Sequence, residues 1–158
     1  MENKDQLATV KTKTISFLKR VSALGIIIFV ATFLQLHWSM GHLSESMSSA
    51  CLECWFVEDV MYLSLITALF LGILFTVLPS QMNRIFIMTV QFLLLISIWF
   101  FWDYSIFVER ESSWSTYLFN EEIHYVVYYS ALPISILSLA ALLFINHQLF
   151  IKKYGEQR

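Results

Sequence analysis

The chain is poor in charge, glycine, proline and cysteine. Charged residues make up 14% of its 158 positions, and it has four glycines, two prolines and two cysteines. Disordered segments combine low hydrophobicity with high charge, so this composition excludes disorder over most of the chain. Four glycines leave no phosphate-cradling loop. A net charge of −2, with no basic face outside the chain ends, argues against nucleic-acid binding.

Hydrophobic residues, by contrast, are abundant. They account for 58% of the chain, and the mean hydropathy is +0.65. A helix needs roughly 20 apolar residues to cross a bilayer. Four segments meet this need, at about 21–38, 60–78, 85–102 and 125–146. We therefore expect one domain over residues 1–158, an all-α integral membrane four-helix bundle in the lipid bilayer. Its outward loops would cover about 39–59 and 103–122.

The basic residues predict the orientation of this bundle. Nine of the ten lysines and arginines precede the first span, lie between the second and third, or follow the last: Lys4, Lys11, Lys13, Lys19, Arg20, Arg84, Lys152, Lys153 and Arg158. Four crossings place them on one side, which the positive-inside rule makes cytoplasmic. Arg110 alone falls outside. The charges thus predict a multi-pass membrane protein with both termini cytoplasmic. We expect its membrane to be a bacterial inner (plasma) membrane.

The two cysteines, Cys51 and Cys54, lie three residues apart just before the second span. The outer face of a bacterial inner membrane is oxidising, so a disulfide persists there. If a helix starts at this pair, its positive end favours the thiolate, the species that exchanges disulfides. Cys51 would then be the more dipole-exposed thiol and Cys54 its pair. An inert disulfide is the alternative, although one closing so short a loop constrains the chain little.

The charges around the cysteine pair oppose a thiolate. Glu53 lies between the cysteines, and Glu58 and Asp59 follow them. Negative charge beside a thiolate disfavours it and slows its attack. The first outward loop contains no lysine or arginine, so His37 and His42 are the only candidate cations that the sequence places nearby.

The chain resembles the DsbB/BdbC family, the family of disulfide bond formation protein B. The resemblance lies in the topology and in the segment Cys51-Leu-Glu-Cys54-Trp55-Phe56. The members of this family are membrane thiol–disulfide oxidoreductases. The resemblance implies that Cys51 and Cys54 exchange a disulfide with an extracytoplasmic thioredoxin-like partner. It also implies quinone as the electron acceptor. The topology covers nearly the whole chain, whereas the residue-level similarity covers about a dozen positions.

The chain departs from the family pattern at three places. Ala50 stands where the family usually has proline before the first cysteine, and Glu58 where it usually has an arginine implicated at the quinone site. The family's second cysteine pair, which takes the disulfide from the partner, has no counterpart in 103–122. The family's relay to quinone cannot run in the same way. Either a single pair exchanges directly with its partner, or the scaffold serves another purpose.

Two other functions remain open from the sequence. His37, His42, Cys51 and Cys54, with methionines nearby, are ligand types that suit Cu(I) or zinc, which favours a copper- or zinc-binding membrane protein. Their spacing, H-x4-H-x8-C-x2-C, differs from that of a zinc finger. The third hypothesis is a non-enzymatic accessory subunit, in which the aromatic residues, 16% of the chain, form interfacial belts. The sequence does not fix the direction of electron flow.

Overall fold

The computed structural model describes residues 2–78 and 83–155, and four helices dominate it. They are α1 (Glu2–Met40), α2 (Phe56–Val77), α3 (Arg84–Arg110) and α4 (Phe119–Gly155). Each contains a stretch long and apolar enough to cross a membrane: Thr14–Leu43, which runs past the end of α1, Phe56–Val77, Arg84–Trp114, which runs past the end of α3, and Phe119–His147. The predicted all-α four-helix architecture is confirmed.

The helices extend beyond the predicted spans. Each predicted span lies inside one helix, except that the second extends one residue past the end of α2. Helix α3 continues for eight residues past Trp102. The predicted outward loop 103–122 is therefore largely helical. Only 111–118 separate α3 from α4, and they include a short 3-10 turn at Ser112–Trp114. The first outward loop likewise narrows to 41–55 between α1 and α2.

Helix α1 is the centre of the bundle because it packs against all three other helices. Its largest interface is with α2, while α3 packs mainly on α4, and α2 and α3 barely meet. Two tryptophans of α3 bridge it to α1 and to α2. Trp99 Nε1 donates to Thr32 Oγ1 on α1 at 2.9 Å, and Trp102 Nε1 donates to Thr67 Oγ1 on α2 at 2.8 Å. Such hydrogen bonds fix the relative positions of apolar helices.

The tight packing of α1 on α2 depends on two glycines. A Cβ added at Gly72 would lie 3.4 Å from the Val21 carbonyl oxygen and 3.5 Å from the Gly25 Cα. The two backbones are therefore in van der Waals contact with no side chain between them. Small residues allow this approach where lipid offers no hydrophobic driving force for association.

The connections 41–55 and 111–118 lie at one end of the bundle, which we call the disulfide end. Cross-helix contacts place the end of α1, the start of α2, the end of α3 and the start of α4 together there. A buried apolar cluster supports it, and that cluster includes Leu36, Met40, Phe56 and Phe107. Phe56 is the first residue of α2, so the core extends to the base of the loop that carries the cysteines.

Candidate functional site: an anchored disulfide turn

Cys51 and Cys54 form a disulfide across a four-residue turn. Their Cα atoms are 5.4 Å apart, and the Cys54 amide donates to the Cys51 carbonyl oxygen at 3.2 Å. Both cysteines are half-buried, whereas Leu52 is 63% exposed and Trp55 is 73% exposed. The disulfide thus lies near the surface, flanked by two apolar side chains that contact little of the protein.

The cysteine pair precedes α2 rather than starting it. The helix begins at Phe56, and its N-cap, Trp55, offers no side-chain hydrogen bond to the free amides. Cys51 is five residues before the helix and Cys54 is two. The structure therefore removes the basis for expecting Cys51 to be the more dipole-exposed thiol, because the dipole acts within the first turn of a helix. Along the chain, Cys54 is the closer of the two.

The loop before the cysteines is fastened to the end of α3. The Ser49 amide donates to the Glu109 carbonyl oxygen at 2.8 Å, and Trp114 Nε1 donates to the Met47 carbonyl oxygen at 2.9 Å. Ser48 is buried, and its Oγ is 3.5 Å from Glu109 Oε2. These bonds hold the segment that enters the turn, because each ties a backbone or side-chain group of the loop to another element.

Arg110, the last residue of α3, holds both sides of the turn. Its guanidinium donates to the Ser46 carbonyl oxygen at 2.5 Å, to the Cys54 carbonyl oxygen at 3.3 Å and to Asp59 Oδ2 at 2.5 Å. It also lies 5.4 Å from the centre of the Phe56 ring, a cation–π contact. Arg110 is 3% exposed, so these partners replace water around a buried charge.

Sequence reasoning missed this role of Arg110. It placed only His37 and His42 near the cysteines, because no lysine or arginine occurs in the first loop. The structure brings Arg110 to the pair from the other connection. One sequence feature pointed to it: Arg110 is the single basic residue that breaks the charge asymmetry between the two sides of the bundle.

The structure does not bring His37, His42, Cys51 and Cys54 together. His37 lies between the rings of Phe33 and Phe56, with centroids 6.1 and 5.9 Å away. His42 faces α4, where its Nε2 is 3.0 Å from the Tyr125 hydroxyl and its ring stacks on Tyr129 at 4.2 Å. Within 2–78 and 83–155, no three histidine, cysteine, aspartate or glutamate side chains are grouped to hold a metal ion.

Tyr117 closes the second connection over the core. Its ring packs edge-on against Phe107, and its hydroxyl donates to Glu111 Oε1 at 3.4 Å. Burial, reinforced by the Glu111 carboxylate, raises the pKa of the Tyr117 phenol above its ordinary value. The phenol therefore stays protonated at neutral pH and remains a hydrogen-bond donor to Glu111.

Below the turn, Asp103 is fully buried between helices. Its Oδ1 accepts from Ser39 Oγ at 2.5 Å, and its Oδ2 accepts from Gln35 Nε2 at 2.7 Å. Both donors belong to α1, so this group joins α1 to α3. The sequence had placed Asp103 at the membrane boundary, and nothing in the local pattern indicated its two partners, which are more than 60 residues away.

Comparisons with known proteins add nothing to this description: no family model, no curated protein and no solved structure matches the chain. The chemistry must be argued from the disulfide end itself.

Proposed function

We propose that the protein is a membrane thiol–disulfide oxidoreductase whose exchanging pair is Cys51 and Cys54. The observation that carries the proposal is a disulfide turn near the surface, on a loop anchored at both sides. A disulfide closing a loop this short adds little stability, so stability is a weak reason for its presence. Anchoring keeps the turn in place while its partner docks, and exposed Leu52 and Trp55 offer apolar contacts beside the sulfurs.

We further propose that the four helices cross a bacterial inner membrane with the disulfide end outside the cytoplasm. The support is the charge distribution. Of the nine basic residues other than Arg110, seven fall at or beyond the opposite ends of the four apolar stretches, and Lys19 and Arg20 lie within the first seven residues of Thr14–Leu43. Arg110 is buried and paired with Asp59, so it does not give the disulfide end an exposed basic side chain.

The reaction is a two-electron exchange with an extracytoplasmic thioredoxin-like partner. A partner thiolate attacks one sulfur of the pair, the Cys51–Cys54 bond breaks, and a mixed disulfide forms while the other sulfur leaves as a thiolate. The partner's second thiol then attacks the mixed disulfide. The partner becomes a disulfide, and both of its thiol protons pass to Cys51 and Cys54. The same steps run in reverse when the partner arrives as a disulfide and Cys51 and Cys54 are reduced.

Quinone does not fit beside this turn. The position of the family's arginine is occupied by Glu58, and Arg110, which does lie at the turn, already donates to Ser46, Cys54 and Asp59. No basic side chain of the described loop is left to bind a quinone carbonyl. We therefore assign no step of the exchange to quinone.

Trapping in cells tests the proposal. Cys51→Ser and Cys54→Ser are made separately, growing cells are quenched with acid, free thiols are alkylated, and membranes are run on non-reducing gels. We expect one single variant to give a higher-mass band that reduction removes and that contains a thioredoxin-like protein. The double variant is the control and must give no band.

The same experiment distinguishes the alternatives. If the wild-type pair stays in one redox state and neither single variant forms an adduct, the redox function is refuted. A copper- or zinc-binding protein predicts instead that His37→Ala and His42→Ala lower the metal content of the purified protein. An accessory subunit predicts that all four single substitutions are mild.

A further inference from the structure

The exposed charge at the disulfide end is acidic. Glu45, Glu53, Glu58 and Glu121 are all exposed there. Within the fully described segments 41–60 and 103–124, the only lysine or arginine is Arg110. It is buried and its charge is neutralised by Asp59. Apart from histidine, every exposed side chain of these two segments that carries charge is therefore a carboxylate.

Two of these carboxylates belong to the turn. Glu53 lies between the two cysteines, and Glu58 lies in the first turn of α2, four residues after Cys54. The salt bridge at the disulfide end joins Arg110 to Asp59, and Arg110 is the only lysine or arginine of 41–60 and 103–124, so neither glutamate pairs with a basic side chain of these segments. Both charges consequently act on whatever approaches the disulfide.

Disulfide exchange begins with an anion. The attacking group is a thiolate, and its approach to a negatively charged surface raises the energy of the transition state. We propose that Glu53 and Glu58 make this disulfide select thiols that carry positive charge beside the sulfur and discriminate against anionic thiols. This inference rests on the proposed exchange function and names the chemistry of its partner, a protein whose reactive cysteine is flanked by lysine or arginine.

The size of the effect follows from Coulomb's law. Two unit charges about 7 Å apart in water change a rate about 3-fold. Two glutamates acting on thiols whose charge differs by two units make four such pair interactions, so the relative rates should differ on the order of 20- to 50-fold at low salt. Because both glutamates are exposed, salt screens the effect: the Debye length falls from about 30 Å at 0.01 M to about 3 Å at 1 M.

Three thiols on one two-carbon skeleton test the proposal on the purified full-length protein in a non-ionic detergent. They are cysteamine, which is cationic, 2-mercaptoethanol, which is neutral, and 2-mercaptoethanesulfonate, which is anionic. The rate of Cys51–Cys54 reduction is followed by alkylation and mass spectrometry. The wild type is compared with the double variant Glu53→Gln/Glu58→Gln. The matched control is Glu2→Gln/Asp5→Asn, which removes the same charge near the start of α1, at the far end of the bundle.

Dividing the variant rate by the wild-type rate for each thiol cancels its intrinsic reactivity. Each thiol attacks as its thiolate, so cysteamine approaches with no net charge, 2-mercaptoethanol with one negative charge and 2-mercaptoethanesulfonate with two. We therefore expect the double variant to speed the anionic thiol most, the neutral thiol several-fold less and the cationic thiol hardly at all. The control should give three equal ratios. High salt should bring the wild type close to the variant.

Equal ratios for the three thiols in the Glu53/Glu58 variant would overturn the inference while leaving the exchange function standing. If no thiol reduces the wild-type disulfide, both proposals fail together. Since Glu53 and Glu58 are exposed side chains, loss of folding is not expected. The salt series on the unmodified protein gives a second measurement that does not depend on any variant.

Discussion

Replacement of Arg110 by methionine should loosen the disulfide turn. The guanidinium donates to carbonyl oxygens on both sides of the turn and to Asp59. Methionine fills a similar volume but offers no donor. The Ser46 and Cys54 carbonyl oxygens then lose this donor, and the Asp59 carboxylate loses its counter-ion.

The expected loss is about 2–3 kcal/mol. Removing one partner of a buried ion pair costs about 3–5 kcal/mol because the other charge is left uncompensated. The Asp59 side chain is 26% exposed, so water recovers part of that cost and the expected loss falls at or below the lower end of this range. For a chain of this size, the melting temperature should fall by about 5–10 °C. Asp59→Asn should cost less, because Arg110 keeps its two carbonyl partners.

Two measurements check this. Thermal unfolding in detergent gives the global effect, and hydrogen exchange of the amides in 46–54 gives the local one. Lys19→Met is the matched control, since it removes a positive charge from an exposed position on α1. Arg110→Met should lower the protection of 46–54 well beyond its effect on the helices. Unchanged protection in that segment would refute the claim that Arg110 holds the turn.

Substitutions at three further positions test the bundle that carries the turn, each by unfolding in detergent. Asp103→Ala should cost about 2–3 kcal/mol, because it leaves Ser39 and Gln35 without their buried acceptor. Asp103→Asn should cost less than half of that. Equal losses for the two variants would contradict the hydrogen-bonded arrangement. Gly72→Ala should be tolerated, since its Cβ would meet the Val21 oxygen at ordinary contact distance, while Gly72→Leu should separate α1 from α2 at a cost of about 2 kcal/mol or more. Trp99→Phe should lose about 1 kcal/mol through its hydrogen bond to α1, and no loss would show that this bond contributes nothing.

The sequence predicted the helices well because membrane crossing is a local property. Hydropathy over roughly 20 residues identifies an apolar helix without reference to the rest of the chain. The helix ends were harder. Asp103 looked like the boundary between span and loop, yet α3 continues to Arg110. Its carboxylate is accommodated inside the bundle by Gln35 and Ser39, and partners so distant in sequence leave no local trace.

The site was predicted only in part, because its local features can be read from the sequence and its long-range contacts cannot. The cysteine pair was found from its spacing alone, and the structure forms the disulfide that this spacing allows. The start of α2 was missed because Trp55 is not a capping residue, so no signal separated the helix from the turn. The contribution of Arg110 was missed because it comes from another connection, across 56 residues of chain.

Arg110 also explains how an acidic surface and an ordered loop coexist at this end. Carboxylates crowded around a turn repel one another, and a surface lysine or arginine would relieve that repulsion but also neutralise the field at the disulfide. Here the cation lies beneath the turn. It pairs with Asp59, binds the backbone before and after the cysteines, and leaves Glu53 and Glu58 exposed. Burial of the one cation therefore provides order without an exposed positive charge. Moving that charge to the surface would abolish the proposed selectivity for cationic thiols. Deleting it would disorder the disulfide turn.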